Sequence, residues 1–487
     1  MSTHRLEPSI FHISRAGRRG LSIPRSRVPK KPLETMIPKK YLAAKAPELP
    51  ELSELDVVRH YTHLSTMNYS IDANFYPLGS CTMKYNPKVN EDAAALPPLL
   101  SLHPYADPSL AQGVLRVMYE LEQYLCEITG FPAFTLLPAA GAHGEFTGIL
   151  IAHAYHKKNG ENRHKVIIPD SAHGTNPASA SLAGYEVTTC PSNKEGMMDL
   201  SALEKLLDRD VAAVMLTNPN TYGIFERNVM KIAEMVHSVG AVFYGDGANL
   251  NAIVGRARPG DLGFDVLHSN LHKTFSTPHG GGGPASGPVG VAAHLVPFLP
   301  VPRVMQEGGR FVLKTDFPDS IGRITSFHGQ VGIIFRAYAY MRILGREGLR
   351  RISDFAVLNA NYMKARLLAA DAFPCPYPKG TMHEFVLSTA RGKDVGAGAT
   401  SIGKRLLDFG FYAPTVHFPI PECLMIEPTE TESKETLDQF VDTLLAIRKE
   451  IDELPEMLAE APYNTPLRRL DEVTAARKPV VCSPCEV

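Results

Sequence analysis

The chain has 487 residues, too many for one ordinary core, and is 44% hydrophobic and 21% charged, the balance of a globular protein. A formal net charge of −1 gives no general attraction to nucleic acid or to an anionic membrane, and no apolar run reaches the ~18 residues expected of a membrane span. Seven scattered cysteines argue against a disulfide framework and for reduced thiols in the cytoplasm.

Residues 1–50 are rich in arginine and proline and poor in acids, the composition of a transit peptide or of an extended arm. Glu7 and the lack of a helical face favour an arm laid over a partner subunit. Leu52, Leu55 and Val58 predict a helix over 51–64. The loop 74–85 then brings Ser80, Cys81, Thr82 and Lys84 together without a regular period. That composition suits a site-lining loop and a capped turn equally.

Apolar residues from Leu110 to Ile128 predict an amphipathic helix that ends at Gly130 and Pro132. A strand over 134–137 leads through Pro138-Ala139-Ala140-Gly141 into a helix reaching about Lys158. Strand, small-residue turn and helix start together can hold a phosphate on free backbone N–H groups. The turn matches neither a Walker loop nor G-x-G-x-x-G.

Short apolar strands then alternate with helices: strands over 165–169, 185–189, 211–216, 241–244, 265–267 and 289–293, helices over 200–207 and 230–238. The alternation predicts an α/β fold with a doubly wound, mostly parallel sheet, whose ligands sit beyond the carboxyl ends of the strands. The polar clusters fall at those ends: Ala140-Gly141, Asp170 to His173, Asn218 to Thr221, Asp246 and Lys273. After about residue 330, helical segments over 334–344 and 354–370, strand-like runs over 384–387 and 423–426, and a helix over 434–450 outline a smaller α+β domain. The expected division is an N-terminal arm and site-lining loop (1–105), a large α/β domain (106–330), a small C-terminal domain (331–470) and a tail (471–487). In that tail Cys482 and Cys485 form a C-x-x-C with no second pair and no nearby histidine, so no metal site is read.

One lysine stands out. The stretch His268 to Phe275 presents Lys273 after a buried strand, flanked by His, Ser and Thr, with His279 and Gly280 to Gly283 behind it. Such an amine suits a Schiff base, and a surface lysine beside a glycine linker is the plain alternative. Asp246, at an earlier strand end, can keep a pyridinium nitrogen protonated. His173 can stack on a ring, and the helix start at Gly141 can take a phosphate. These are the requirements of pyridoxal phosphate. Each residue alone has an ordinary structural reading, and it is the strand order that joins them.

The same residues lie in long strings that resemble the glycine cleavage system P-protein family, in its two-subunit form. The strings are Ser14 to Gly20, Tyr76 to Lys84, Pro138 to Glu145, Ser171 to Ser179, Gly245 to Asn249 and Asn270 to Phe275. The resemblance implies a type I pyridoxal-phosphate transferase fold and the decarboxylation of glycine, with transfer of the aminomethyl group to the lipoyl arm of the H-protein. It implies that Lys273 holds the cofactor and moves protons, that His173 stacks on the ring and that Asp246 pairs with its nitrogen. Ala140, Gly141 and His272 lie by the phosphate, Asn218 and Ala248 are further cofactor contacts, and the loop with Ser80, Cys81, Thr82 and Lys84 closes over glycine. It implies a subunit 1 partner in an α2β2 assembly. Another type I pyridoxal-phosphate enzyme would share Asp246 and Lys273. A scaffold subunit would have lost one of them, and nucleotide binding by the glycine run lacks the Lys-Ser/Thr of a P-loop.

Overall fold

The computed structural model describes residues 6–279 and 285–481. The glycine run 280–283 and the pair Cys482 and Cys485 lie outside the described residues. Two compact units divide the chain, one from 1–73 with 462–487 and the other from 74–461.

In the first unit the arm is mostly turns and extended backbone, with short 3-10 turns at Leu33–Thr35 and Lys39–Tyr41. Helix α1 (Glu54–Thr66) begins where Ser53 caps it. The Ser53 hydroxyl accepts the Asp56 N–H and the Asp56 carboxylate accepts the Ser53 N–H, so two otherwise unpaired donors are satisfied. Glu7 reaches back to this helix, 3.1 Å from both His60 and His63.

The second unit is built on seven strands: β1 (Ala133–Thr135), β2 (Lys165–Pro169), β3 (Glu186–Cys190), β4 (Val211–Thr217), β5 (Val242–Gly247), β6 (Val266–Ser269) and β7 (Val289–Val291). Their order is β1-β7-β6-β5-β4-β2-β3. The neighbours from β3 to β6 pair in parallel, and β7 runs against both β1 and β6. Helices α2 (Gln112–Thr129), α3 (Gly141–Lys158), α4 (Thr175–Leu182), α5 (Leu200–Leu206) and α6 (Val229–Ser238) connect and cover the strands.

Every residue of β4 is buried, as expected of a strand covered on both faces. Val214, Leu216, Phe243 and Leu267 join α2 and α6 in one core, while Ala213, Met215, Tyr244 and Val266 join α3 in another. The period of two along each strand divides its side chains between these cores. Gly148 lets α3 approach the sheet closely, since a Cβ there would lie 2.4 Å from the Tyr244 ring.

After β6 comes a single helical turn, α7 (Leu271–Thr274). The hairpin β8 (Arg303–Glu307) and β9 (Arg310–Lys314) turns at Gly308-Gly309, both with positive φ; sequence periodicity gave no sign of it. The two helices expected near 334–370 are halves of α8 (Val331–Ala369), which bends at the non-helical Gly345. A second sheet, β10 (Phe385–Ser388), β12 (Cys423–Ile426) and β11 (Thr415–Val416), packs with α9 (Ala399–Asp408) and α10 (Lys434–Glu453) around a separate core.

Residues 74–105, grouped by sequence with the arm, pack in this second unit. The Gly79 N–H donates to Met425 O at 3.2 Å, and a Cβ on Gly79 would lie 2.6 Å from that oxygen. The loop is thus fastened to the small sheet. Gly148→Val should lower stability by about 1–3 kcal/mol through overpacking against Tyr244. A thermal melt unchanged from wild type would show that α3 can move off the sheet.

Candidate functional site

Parallel register brings the first group of residues together. Across the strand ends, Thr217 on β4 pairs with Asp246 on β5, and Asp246 pairs with His268 on β6. Neighbours in register share a face, so three polar side chains meet where the sheet ends. Asp246 is 1% exposed. Its Oδ2 accepts from Thr217 Oγ1 and from Asn176 Nδ2 on α4, both at 3.1 Å. Its Oδ1 accepts from the Ala248 N–H at 2.8 Å and lies 3.2 Å from His268 Nε2. Burial alone would raise this carboxyl. His268, His173, the Ala248 amide and Lys273 outweigh it and hold the carboxyl down at about 2. Asp246 is therefore ionised at neutral pH.

Tyr244 supports the row from below, its hydroxyl 3.1 Å from His268 Nδ1. Glu145, on α3, is raised to about 8, first by burial and then by the Asp246 charge, and accepts from Thr175 Oγ1 at 3.0 Å. One carboxyl near the row is charged and its neighbour holds a proton.

Lys273 sits on α7 directly after β6, 9% exposed, and its Nζ donates to Ser80 O at 2.8 Å. Ser80 Oγ lies 3.2 and 3.0 Å from the two ring nitrogens of His173, whose other neighbour is the Phe418 ring at 6.1 Å. Burial lowers the His173 imidazole to about 4, so the ring is neutral. The structure thus brings Lys273, His173, Asp246, Ala248 and Ser80 into one neighbourhood.

The region expected to hold a phosphate is the start of α3. Ala140 precedes the helix with extended backbone, and no side chain caps the first N–H groups. Asn270 crowds Gly141 so closely that a Cβ there would lie 2.4 Å from its Oδ1. Around α7, Ser269 Oγ, His272 Nδ1, Thr274 Oγ1 and Thr277 Oγ1 are buried with no hydrogen-bond partner among the described residues. Burial lowers His272 to about 3 and His279 to about 4, and their rings meet edge to face at 4.7 Å. Free helix N–H groups beside unpaired hydroxyl and imidazole groups suit an anionic group, and with Lys273 and Asp246 the donor set fits pyridoxal phosphate.

Two candidates are already engaged elsewhere. Asn218 Oδ1 accepts the Glu226 N–H at 2.9 Å, which fixes the turn after β4 and leaves only its amide nitrogen unpaired. Lys84 is fully enclosed: its Nζ donates to Glu430 Oε1 at 2.6 Å, Thr274 O at 2.8 Å and Asn251 Oδ1 at 2.9 Å. All three ammonium protons are committed, so Lys84 ties the loop to the end of α7. Cys81 lies within the field of Lys273, Glu427 and Glu384, and burial raises its thiol.

The small sheet supplies three residues that sequence reasoning assigned no role. His383, Glu384 and Glu427 are wholly buried. Glu384 Oε2 accepts the Ser80 N–H at 2.7 Å and Glu427 Oε2 accepts the Thr82 N–H at 2.9 Å. Acids flanking the apolar runs 385–388 and 423–426 were the available signal, by the same strand-end logic that picked out Asp246.

Comparison with known proteins places the chain in a family. The family model described as "Glycine cleavage system P-protein" matches residues 30–306, and that described as "Glycine dehydrogenase, C-terminal domain" matches 352–469. "Probable glycine dehydrogenase (decarboxylating) subunit 2" of Caldanaerobacter subterraneus subsp. tengcongensis is 56% identical over 475 residues, covering 97% of this chain and 98% of its own. The protein of the same description from Chlorobium chlorochromatii is 55% identical over 479 residues, covering 98% and 99%. Among solved structures, a glycine decarboxylase (P-protein) in inhibitor-bound form superposes with a TM-score of 0.73 at 23% identity, covering 85% of this chain and 94% of its own. Glutamate decarboxylase of Lactobacillus brevis superposes at 0.65 and 12% identity, covering 85% and 97%. The architecture is the type I pyridoxal-phosphate fold.

Lys84→Met would strip Glu430 of its ammonium partner and leave it only the Tyr340 hydroxyl at 3.4 Å. It should lower stability by about 3–5 kcal/mol, read as a fall in the urea midpoint. An unchanged midpoint would mean that the ammonium does not hold the loop to α7.

Proposed function

The chain belongs to the glycine cleavage system P-protein family, and from that premise we propose that it is a pyridoxal-phosphate subunit that decarboxylates glycine and passes the aminomethyl group to the lipoyl arm of the H-protein. The observation that carries this reading is the ionised Asp246 at the end of β5, one strand from Lys273. When bound, pyridoxal phosphate supplies an electron sink for the charge left as glycine loses CO2.

The protein's own groups have separable tasks. Lys273 would hold the cofactor through its amine, and its Nζ would move protons. Asp246 would pair with the ring nitrogen, and its four partners keep it charged. His173, neutral and beside Ser80, would stack on the ring. Ala140, Gly141 and His272 receive the phosphate, with Ala248 and Asn218 as further contacts. The turn with Ser80, Cys81 and Thr82 covers glycine, while Lys84 anchors it. Burial of these groups excludes water, which strengthens every charge interaction within the site.

The chain acts with a complementary subunit 1, in an α2β2 assembly in the cytoplasm; the description of its relatives as subunit 2 supports the partner. Among the described residues, no helix is long and apolar enough to cross a membrane.

The test is exchange of labelled CO2 into the carboxyl of glycine, with the chain, pyridoxal phosphate and lipoylated H-protein, with and without subunit 1. Lys273→Ala should reduce exchange to background. Asp246→Asn should cost about 10–100-fold, the worth of one charged hydrogen bond. Bound cofactor with no exchange in any combination would exclude the glycine assignment.

A further inference from the structure

The turn that receives the Lys273 amine is strained. Ser80 and Thr82 both hold left-handed backbone, with φ of 64° and 49°, a conformation that costs a residue with a Cβ about 1–3 kcal/mol. Such strain persists only where surrounding groups impose it. Here each strained residue gives its backbone N–H to a wholly buried carboxyl: Ser80 to Glu384 Oε2 at 2.7 Å and Thr82 to Glu427 Oε2 at 2.9 Å. Between those two contacts, Ser80 O accepts the Lys273 Nζ at 2.8 Å.

The two carboxyls also meet at a buried histidine. One carboxylate oxygen of Glu384, one of Glu427 and a His383 ring nitrogen all lie within 4.8 Å of each other, and His383 Nε2 lies 3.7 Å from Glu384 Oε1 and 4.0 Å from Glu427 Oε1. Glu427 Oε1 and both His383 nitrogens have no hydrogen-bond partner among the described residues. Asn249 Nδ2 reaches Glu384 Oε1 at 3.4 Å. Two carboxylates this close, away from water, cannot both ionise. One negative charge between them matches the single positive charge of Lys273.

We propose that Glu384 and Glu427 act as one carboxyl pair sharing a single proton, and that this pair positions the Lys273 amine by gripping the Ser80–Thr82 turn that receives it. They are positioning residues, since neither accepts a bond from Lys273 itself. Electrostatics agrees. Burial raises Glu427 to about 7 and Glu384 well above the carboxylate range, Glu427 raises Glu384 further, and Lys273 draws both down. The other titratable groups facing the pair are His383, lowered to about 3 by burial, the Cys81 thiol, and Glu430 with its partner Lys84.

The proposal rests on the reading of Lys273 as the cofactor lysine, and its test separates the two. The chain and its Glu384→Gln, Glu427→Gln and double variants are loaded with pyridoxal phosphate, and the absorbance of the lysine-bound cofactor is titrated with pH. A nearby negative charge favours the protonated form, so its removal lowers the midpoint. With one shared proton, either single variant lets the remaining carboxyl keep the charge, and the midpoint should move by less than about 0.3 units. The double variant removes the charge and should lower it by about 1 unit or more. Equal shifts in the singles that add to the shift in the double, or no shift in the double, would overturn the pair. A merely structural role moves the melting temperature and leaves this pattern absent.

The unloaded chain gives an independent answer. Its infrared band from protonated carboxylic acids should lose the same intensity in each single variant and no more in the double. No loss in the singles, or twice the loss in the double, would contradict the shared proton even if the double variant fails to load. A wild-type chain that shows the infrared pattern but never binds pyridoxal phosphate through Lys273 would reject the proposed function and leave the pair intact.

Discussion

A carboxylate kept ionised out of contact with water is the constraint on which the site depends. Taking a charge into a protein interior costs several kcal/mol unless hydrogen bonds and opposite charge replace its hydration. For Asp246 the replacements come from four elements: Thr217 on β4, Asn176 on α4, the Ala248 amide just beyond β5 and His268 on β6. A one-residue slip in either neighbouring strand would turn Thr217 or His268 to the opposite face. The register of the central strands, the placement of α4 and the charge of Asp246 therefore stand or fall together. Lys273 follows β6 within one helical turn, so the same register sets where its amine emerges.

The site contains two opposite solutions to a buried acid. Asp246 is surrounded by donors and stays charged, whereas Glu145, Glu384 and Glu427 lack enough donors and are raised by burial. Environment, and not residue type, decides which carboxyl carries charge. The large sheet supplies the charged acid and the lysine. The small sheet supplies the raised pair that grips the turn, and Lys84 fastens the far end of that turn to Thr274 and Glu430. Since groups from both sheets converge on Lys273, movement of one sheet against the other would change the setting of its amine.

Much of this was legible in the sequence, because short apolar strands alternating with amphipathic helices leave few other folds open. The strand over 165–169 and the helix to Lys158 fall where the pattern put them. Strand-end logic drew attention to Asp246, Lys273 and His173, since polar residues directly after apolar runs stand out. His268 lay in the same stretch yet carried no assignment: its partner Asp246 is remote in sequence and met only through strand pairing. Glu384 and Glu427 were hidden for a related reason. Each flanks a strand of the small sheet, and only the folded loop reveals that they receive the Ser80 and Thr82 amides. The hairpin Arg303–Lys314 escaped because its faces are half-exposed and show no clean alternation. Lys84 looked like a substrate group in a polar loop, and its commitment to three buried acceptors is a property of tertiary packing alone.

The proposed function requires that one lysine, Lys273, hold the cofactor against an ionised Asp246. The most direct measurement is borohydride reduction of the chain after incubation with pyridoxal phosphate, followed by mass mapping of the modified peptide. One stoichiometric pyridoxyl group on Lys273 is expected. Modification spread over surface lysines, or a single group on Lys84, would contradict it.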